Sequence, residues 1–162
     1  MKRGTEAAIA AAVLCLDQGA KLWARGLTAP LPLIPGILQA RHTENTGVAF
    51  SLLSSMPRLT GLLTVVLLIA AALLLRGRAG EPIGRTGAAL AFGGAIGNLI
   101  DRLLRGSVTD WIEPLFMRFA VFNIADAALV IGIALVIYSL FRSPDAWNRQ
   151  PKPGDSEEPE EP

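Results

Sequence analysis

The run from Leu59 to Leu75 contains no charged residue, and nearly all of its side chains are apolar. A helix of about 20 such residues crosses the hydrocarbon core of a bilayer, because it rises about 1.5 Å per residue. Largely apolar runs that include a few charged residues occupy residues 7–24, 83–104 and 121–141. With the span 58–75 included, the sequence predicts an all-α membrane protein with four transmembrane helices.

The first of these runs, residues 7–24, also fits the template of a cleaved signal peptide, because the basic residues Lys2 and Arg3 precede it. No clear small-residue cleavage site follows the run, and Leu22-Trp23 is typical of the aromatic anchor of a spanning helix. We therefore predict that this segment is retained as the first transmembrane helix.

The segment from Leu27 to Pro57 lies between the first two runs and contains several prolines, which disfavour a helix. Ile37–Thr43 has weak strand character, and Asn45-Thr46-Gly47 is typical of a turn. We expect a small, amphipathic, β-structured flap that lies at the membrane surface.

In a four-span arrangement, one side carries an excess of the basic residues of the termini and connections. The basic residues on that side are Lys2, Arg3, Arg76, Arg78, Arg85, Arg142, Arg149 and Lys152. Cytoplasmic loops carry such an excess, so we expect both termini in the cytoplasm and the flap on the extracytoplasmic side. Residues 143–162 are rich in proline and acidic side chains, which predicts a disordered tail after a membrane domain over residues 1–142.

The composition narrows the chemistry that the chain can perform. The formal net charge is +1, so no global field attracts nucleic acid. Cys15 is the single cysteine and His42 the single histidine, which argues against a disulfide framework and against a Cys/His metal site. We expect no metal and no cofactor, and the chemistry then falls to carboxylates, hydroxyls or lysines.

Two aspartates flank the last connection, since Asp110 follows the run 83–104 and Asp126 lies near the start of the run 121–141. An ionisable residue beside a membrane span is costly and marks a functional site by default. Neighbouring antiparallel helices would bring both carboxylates together near the outer interface. Two close carboxylates share one proton and can activate a water molecule. We predict that Asp110 and Asp126 are the dyad of an aspartyl protease, although Asp110 alone could also be a helix cap.

Further polar residues lie in or beside the spans. Asn98 and Asn123 each precede an aspartate by three residues, on the same helical face. They could orient the carboxylates or hold the helices together by hydrogen bonds. Asp17 and Lys21 are four residues apart, so they could form an intrahelical ion pair, or Asp17 could reach the active site.

Asp101-Arg102 is interpreted as a structural pair, in which Arg102 binds a carboxylate and anchors the helix end at the head groups. Asn45 either belongs to a tight turn or supplies a polar contact to the substrate. On the second interpretation, Asn45→Ala raises the Michaelis constant and leaves turnover unchanged, because the contact is made equally in the ground and transition states.

Five blocks occur in order between residues 7 and 141, and together they form a highly specific set. They are Asp17-Gln-x-x-Lys21, Asn45-Thr-Gly-Val-Ala-Phe50, Gly93-Gly-Ala-Ile-Gly-Asn-Leu-Ile-Asp-Arg102, Val108-Thr-Asp110 and Phe122-Asn-Ile-Ala-Asp126. This set resembles the lipoprotein signal peptidase (signal peptidase II) family. The resemblance implies an aspartic endopeptidase of the bacterial inner membrane, which removes signal peptides from prolipoproteins before a diacylglyceryl-modified cysteine. The implied partners are these substrates and membrane lipid, and we expect a monomer.

The resemblance also implies roles for individual residues. Asp110 and Asp126 match the family dyad, and the motif positions that support the site or the substrate are Asp17, Asn45, Gly47, Asn98, Asp101, Arg102 and Asn123. Thr109 stands where the family usually has valine, an isosteric exchange that we expect to be harmless. Val48 replaces a common alanine in the flap.

From the residues alone, a second class is a non-enzymatic four-helix membrane protein, such as a small transporter or scaffold, whose acids bind protons or an ion. Transporters often carry paired broken segments in two halves, and no such symmetry is visible here. Replacing either dyad aspartate with asparagine in a prolipoprotein-processing assay would separate the two classes.

Overall fold

The computed structural model describes residues 3–46 and 81–145. Its elements are α1 (Arg3–Arg25), β1 (Leu31–Ile34), β2 (Leu38–Asn45), α2 (Pro82–Arg105), β3 (Val108–Pro114) and α3 (Ile124–Arg142). The predicted spans 7–24, 83–104 and 121–141 overlap these helices. The predicted span 58–75, Gly47, Val48 and the tail beyond Asp145 lie outside the described residues.

The described part of the chain exposes many large apolar side chains and buries several polar and charged ones. Large apolar side chains of the helices are exposed, with Leu16 at 64%, Val130 at 67% and Phe141 at 85% of their full accessibility. The buried polar and charged residues are Asp17, Lys21, Asn98, Asp101, Thr109, Asp110, Asn123 and Ser139. Since a water-soluble protein usually buries its large apolar side chains, this distribution suits a protein surrounded by lipid.

Two described helices are long and apolar enough to cross a membrane, namely Gly4–Arg25 and Ile124–Arg142, with mean hydropathies of 1.3 and 2.3. The helix α2 lies between them and contacts both. A Cβ atom added at Gly93 would lie 2.7 Å from the Ala10 carbonyl oxygen of α1, and one added at Gly87 would lie 2.6 Å from the Gly132 carbonyl oxygen of α3. Glycine therefore allows the three helix backbones to approach one another closely.

The end of α2 directs the chain into β3. Gly106 follows the helix with a φ of 77°, and its N–H donates to the Arg102 carbonyl oxygen at 3.1 Å. This left-handed residue is typical of a helix C-terminus, because glycine adopts positive φ without steric strain. The strand that carries Asp110 begins two residues later, at Val108.

The three strands form one antiparallel sheet in the order β1-β2-β3. The register places Thr43 opposite Asp110 and Glu44 opposite Thr109, and it shifts between Ala40 and Thr43. The flap predicted from the sequence thus supplies β1 and β2, whereas β3 comes from the connection after α2, for which no strand is predicted. Because Asp110 lies on β3, the sheet positions one member of the candidate dyad.

Candidate active site

A capping box at the start of α3 fixes Asp126. The Asn123 side-chain Oδ1 accepts a hydrogen bond from Asp126 N at 2.8 Å, and Asp126 Oδ2 accepts one from Asn123 N at 3.3 Å. These reciprocal bonds satisfy backbone donors that the first helical turn leaves unpaired. As a consequence α3 begins at Ile124, later than the span 121–141 predicts, and Asp126 lies in its first turn.

Asp110 receives one hydrogen bond on each carboxylate oxygen. Asn123 Nδ2 donates to Asp110 Oδ1 at 2.6 Å, and Asn45 Nδ2 donates to Asp110 Oδ2 at 2.9 Å. Burial, and then the nearby charge of Asp126, raise the pKa of Asp110 from its ordinary 3.8 to about 6. The hydrogen bonds from Asn45 and Asn123 act in the opposite direction and limit this rise.

Asn98 links Asp126 to the ion pairs of α1. Its Nδ2 donates to Asp126 Oδ1 at 2.7 Å, while its Oδ1 accepts from Lys21 Nζ at 2.9 Å and from Asn123 Nδ2 at 3.2 Å. Because Lys21 can only donate, its contact fixes which end of the Asn98 amide is the oxygen. The other end must then present its N–H to Asp126.

Lys21 is the centre of a buried ion-pair cluster. Its Nζ lies 2.8 Å from Asp17 Oδ2 and 2.9 Å from Asp101 Oδ2, and all three side chains are at most 1% exposed. Arg25 Nη2 extends the cluster with a contact of 3.1 Å to Asp101 Oδ1. Buried charges of this kind are tolerated because each one is paired and hydrogen-bonded.

Asp17 connects this cluster to the start of α3. Its Oδ1 accepts a hydrogen bond from Ala125 N at 2.9 Å. The first backbone N–H groups of a helix lack intrahelical partners, and the positive end of the helix dipole favours an anion there. Asp17 therefore forms the intrahelical ion pair with Lys21 and also hydrogen-bonds the first turn of the helix that carries Asp126.

The predicted site residues fall largely into one connected cluster, whose members are Asp17, Asn45, Asn98, Asp101, Asp110, Asn123 and Asp126. Arg102 lies beside it, because Arg102 Nη1 donates to the Asn98 carbonyl oxygen at 3.4 Å and its charge acts on both Asp126 and Asp110. Gly47 lies outside the described residues. Within residues 3–46 and 81–145, no group of three or more His, Cys, Asp or Glu side chains could hold a metal ion.

Sequence reasoning did not assign Lys21, Arg25 or Thr109 to the site. For the two cations a signal exists, since Asp17, Lys21 and Arg25 recur every four residues and share one face of α1. For Thr109 no such signal exists, because its role depends on residues of α1 and β2 that are distant in the chain.

The helices and the cluster together define the class of protein, which is a helical protein of membrane type with a buried carboxylate site where its helices meet a small sheet. The family described as Signal peptidase (SPase) II matches residues 9–142. Since the match covers most of the chain, the chain belongs to the signal peptidase II family.

Individual relatives are similar along most of their length. The lipoprotein signal peptidase of Mesorhizobium japonicum is 42% identical over 154 residues, which cover 90% of this chain and 88% of the relative. The lipoprotein signal peptidase of Trichormus variabilis is 41% identical over 141 residues, which cover 83% and 88% respectively.

Two solved structures have a similar fold, and both are described as bacterial membrane enzymes determined by the in meso method. The first, at 2.3 Å resolution, has a TM-score of 0.81 and 32% identity, covering 93% of this chain and 94% of the other. The second, at 1.9 Å resolution, has a TM-score of 0.78 and 33% identity, covering 87% and 95%.

Proposed function

We propose that the chain is a membrane aspartic endopeptidase that removes signal peptides from prolipoproteins, with Asp110 and Asp126 as its dyad. The observation that carries the proposal is the shared contact with Asn123, which donates to Asp110 and forms a capping box with Asp126. One residue thus contacts both carboxylates, through its side-chain Nδ2 at Asp110 and through its backbone N–H at Asp126. The names of the relatives, which are lipoprotein signal peptidases, support the substrate class.

The mechanism follows from two carboxylates that share one proton. The ionised member takes a proton from a water molecule as the water oxygen attacks the peptide carbonyl carbon. The protonated member donates its proton to the carbonyl oxygen, which becomes a hydroxyl of the tetrahedral intermediate. When the C–N bond breaks, a proton passes to the leaving amine, so that the roles of the two carboxylates reverse.

The charge of the site supports a singly protonated dyad. Among the described residues, the cluster holds three cations, Lys21, Arg25 and Arg102, and four carboxylates, Asp17, Asp101, Asp110 and Asp126. A single proton on the dyad leaves three negative charges against three positive charges. Since an uncompensated buried charge is costly, this neutral state is favoured over one with both dyad members ionised.

The proposal includes the membrane arrangement. Four transmembrane helices, with both termini in the cytoplasm, would locate the dyad near the extracytoplasmic face of the bacterial inner membrane. Exposed apolar side chains of the sheet and its neighbouring loop would rest on lipid; they are Leu31, Ile34, Ile37, Leu115, Phe116 and Phe119. A lipidated substrate held in the same membrane can then reach the dyad from the side.

Cleavage by the purified chain in detergent micelles tests the proposal. A precursor peptide with a diacylglyceryl-modified cysteine should be cut on the N-terminal side of that cysteine, and the matched unmodified peptide should be cut poorly. Asp110→Asn and Asp126→Asn should each lower turnover at least about a thousandfold, because an asparagine cannot exchange the proton. The matched control is Asp145→Asn, at an exposed position after α3.

Two results would contradict the proposal. The first is a folded wild-type protein that does not cleave the lipidated precursor. The second is near-normal turnover by either dyad variant, which would remove that residue from the chemistry.

A further inference from the structure

The residue next to Asp110 on β3 makes contacts on the opposite face of the sheet. Thr109 is fully buried, and its hydroxyl oxygen accepts a hydrogen bond from Arg25 Nε at 2.9 Å. The same hydroxyl donates to Glu44 Oε1 at 3.1 Å. Thr109 therefore joins α1, β2 and β3 through a single side-chain oxygen.

This contact lies directly behind the bond between Asn45 and Asp110. Glu44 is opposite Thr109 in the register, and the next residue of each strand belongs to the site. Successive side chains of a strand point to opposite faces, so Asn45 and Asp110 meet on one face while Glu44 and Thr109 meet on the other. A change in the spacing of β2 and β3 at Thr109 would thus alter the 2.9 Å contact of Asn45 with Asp110.

Arg25 connects Thr109 to the ion-pair cluster. Its Nη2 contacts Asp101 Oδ1 at 3.1 Å, and Asp101 is paired with Lys21. The other partner, Glu44, is also contacted by Ser107 Oγ at 2.5 Å and by His42 Nε2 at 2.8 Å. Burial raises the pKa of Glu44, but these hydrogen bonds and that from Thr109 outweigh it, so Glu44 is held as an anion that accepts them.

We propose that Thr109 is a positioning residue, whose hydroxyl holds β2 and β3 against the end of α1 so that Asn45 stays bonded to Asp110. The inference rests on the proposed function, because it assigns Asp110 to the dyad. A valine at this position would have a similar volume but neither a donor nor an acceptor, so it isolates the contribution of the hydroxyl.

Removal of the hydroxyl should affect the chemistry and not the capture of substrate. Thr109 lies on the face away from Asp110, so the Michaelis constant should stay near its wild-type value while turnover falls. A weaker Asn45 contact removes a bond that favours ionised Asp110, so the limb of the pH profile governed by Asp110 should move to higher pH. Asp126, Lys21 and Arg102 also act on Asp110, and they are unchanged in this variant.

The experiment compares Thr109→Val, which removes the hydroxyl at nearly constant volume, with Thr109→Ser, which keeps it. Thr109→Val should lower turnover by about 3- to 10-fold, the effect of losing one or two modest hydrogen bonds, and should shift the limb upward. Thr109→Ser should restore both turnover and the limb. Thr28→Val, the same change at an exposed threonine, should behave as the wild type.

A double variant tests the route of the effect. If Thr109 acts through Asn45, then adding Thr109→Val to Asn45→Ala should shift the limb no further than Asn45→Ala alone. If Thr109→Val does not fold, as judged by thermal unfolding, Glu44→Ala replaces it in the experiment, because Glu44 is exposed and its truncation should leave the protein folded. Glu44→Ala removes the acceptor of the Thr109 hydroxyl, so it should also lower turnover and move the limb to higher pH.

An unchanged pH profile and turnover in folded Thr109→Val would overturn the inference, and so would fully additive limb shifts in the double variant. Both outcomes require wild-type cleavage, so they are distinct from failure of the proposed function, in which the wild type itself does not cleave the lipidated precursor.

Discussion

Asn123 links the two carboxylates with three polar groups of a single residue. Its Oδ1 and backbone N–H form the capping box with Asp126, and its Nδ2 donates to Asp110 and to Asn98. A residue with only donors or only acceptors could not do this. The asparagine is therefore required by its chemistry at this position, and aspartate in its place would present an oxygen to Asp110 where a donor is needed.

Asn45 contacts a member of the candidate dyad, a role that differs from the substrate contact predicted from the sequence. Since its side chain donates to Asp110, we expect Asn45→Ala to lower turnover about tenfold and to move the limb of the pH profile governed by Asp110 to higher pH. Steady-state kinetics over a series of pH values measure both effects. The control is Thr46→Ala, at the exposed neighbouring residue.

Unchanged turnover with a raised Michaelis constant in Asn45→Ala would contradict this role. Such a result would return Asn45 to the substrate contact, because only a contact made equally in the ground and transition states affects the Michaelis constant alone.

The titration of Asp110 predicts how stability depends on pH. Its folded-state pKa of about 6 exceeds the ordinary value of 3.8, so the fold favours the protonated form. That stabilisation is fully present below pH 3.8 and is lost as the pH rises through about 6. The difference in thermal unfolding midpoint, wild type minus Asp110→Asn, should therefore decrease between about pH 4 and about pH 7.

Thermal unfolding in detergent micelles over this pH range measures that difference, and Asp145→Asn again serves as the matched variant with an exposed carboxyl group. A difference that increased with pH would mean that the fold favours ionised Asp110, contrary to the effect of its burial.

At the scale of the elements, α2 positions the site by packing between α1 and α3. A Cβ atom added at Gly97 would lie 2.8 Å from Asp17 Oδ2, so glycine leaves the space that the Asp17 carboxylate occupies. Farther along the contact, one added at Gly94 would clash with the Ala125 carbonyl oxygen of α3. These close approaches permit the polar contacts between helices, since a lateral shift of about 1 Å would break hydrogen bonds of ordinary length.

Gly94→Ala should therefore force α2 away from α3, lower the unfolding temperature and reduce cleavage, because Asn98 of α2 would lose its hydrogen bond to Asp126 of α3. Gly19→Ala is the matched control on α1, where an added Cβ meets no atom within 4 Å. It should be neutral or stabilising by about 0.5–1 kcal/mol, since alanine favours the helix. Equal stability of the two variants would contradict the close packing of α2 against α3.

At the scale of the whole molecule, the predicted orientation depends on charges in connections. The distribution of Lys and Arg favours cytoplasmic termini, and it predicts that the connection after α1 lies on the extracytoplasmic side. That connection leads into the sheet, and the sheet contributes Asp110 to the site. The predicted orientation would therefore put the proposed active site near the extracytoplasmic face.

Cysteine labelling in intact cells measures the orientation. In a Cys15→Ser background, Thr28→Cys should react with a membrane-impermeant maleimide, because Thr28 is exposed in the connection after α1. Asp145→Cys, which follows α3, should react only after the membrane is permeabilised. Labelling of Asp145→Cys in intact cells would show the opposite orientation.

The sequence by itself predicted the three described helices, and it selected most of the polar residues that the structure brings into one connected cluster. Largely apolar runs of about membrane length can satisfy their backbone hydrogen bonds in lipid only as helices, so the local pattern predicts α1, α2 and α3. The polar residues within such runs stand out because lipid makes them costly, which is why Asp17, Asn98 and Asp126 could be selected without coordinates.

Only the tertiary structure decided how these residues are connected. Whether β3 is extended depends on its pairing with β2, and the bond of Thr109 to Arg25 joins residues 84 positions apart in the chain. Likewise, Lys21 fixes the Asn98 amide across 77 positions. A local pattern reports propensity and burial, whereas a hydrogen bond depends on distances and angles that arise only when separate elements pack together.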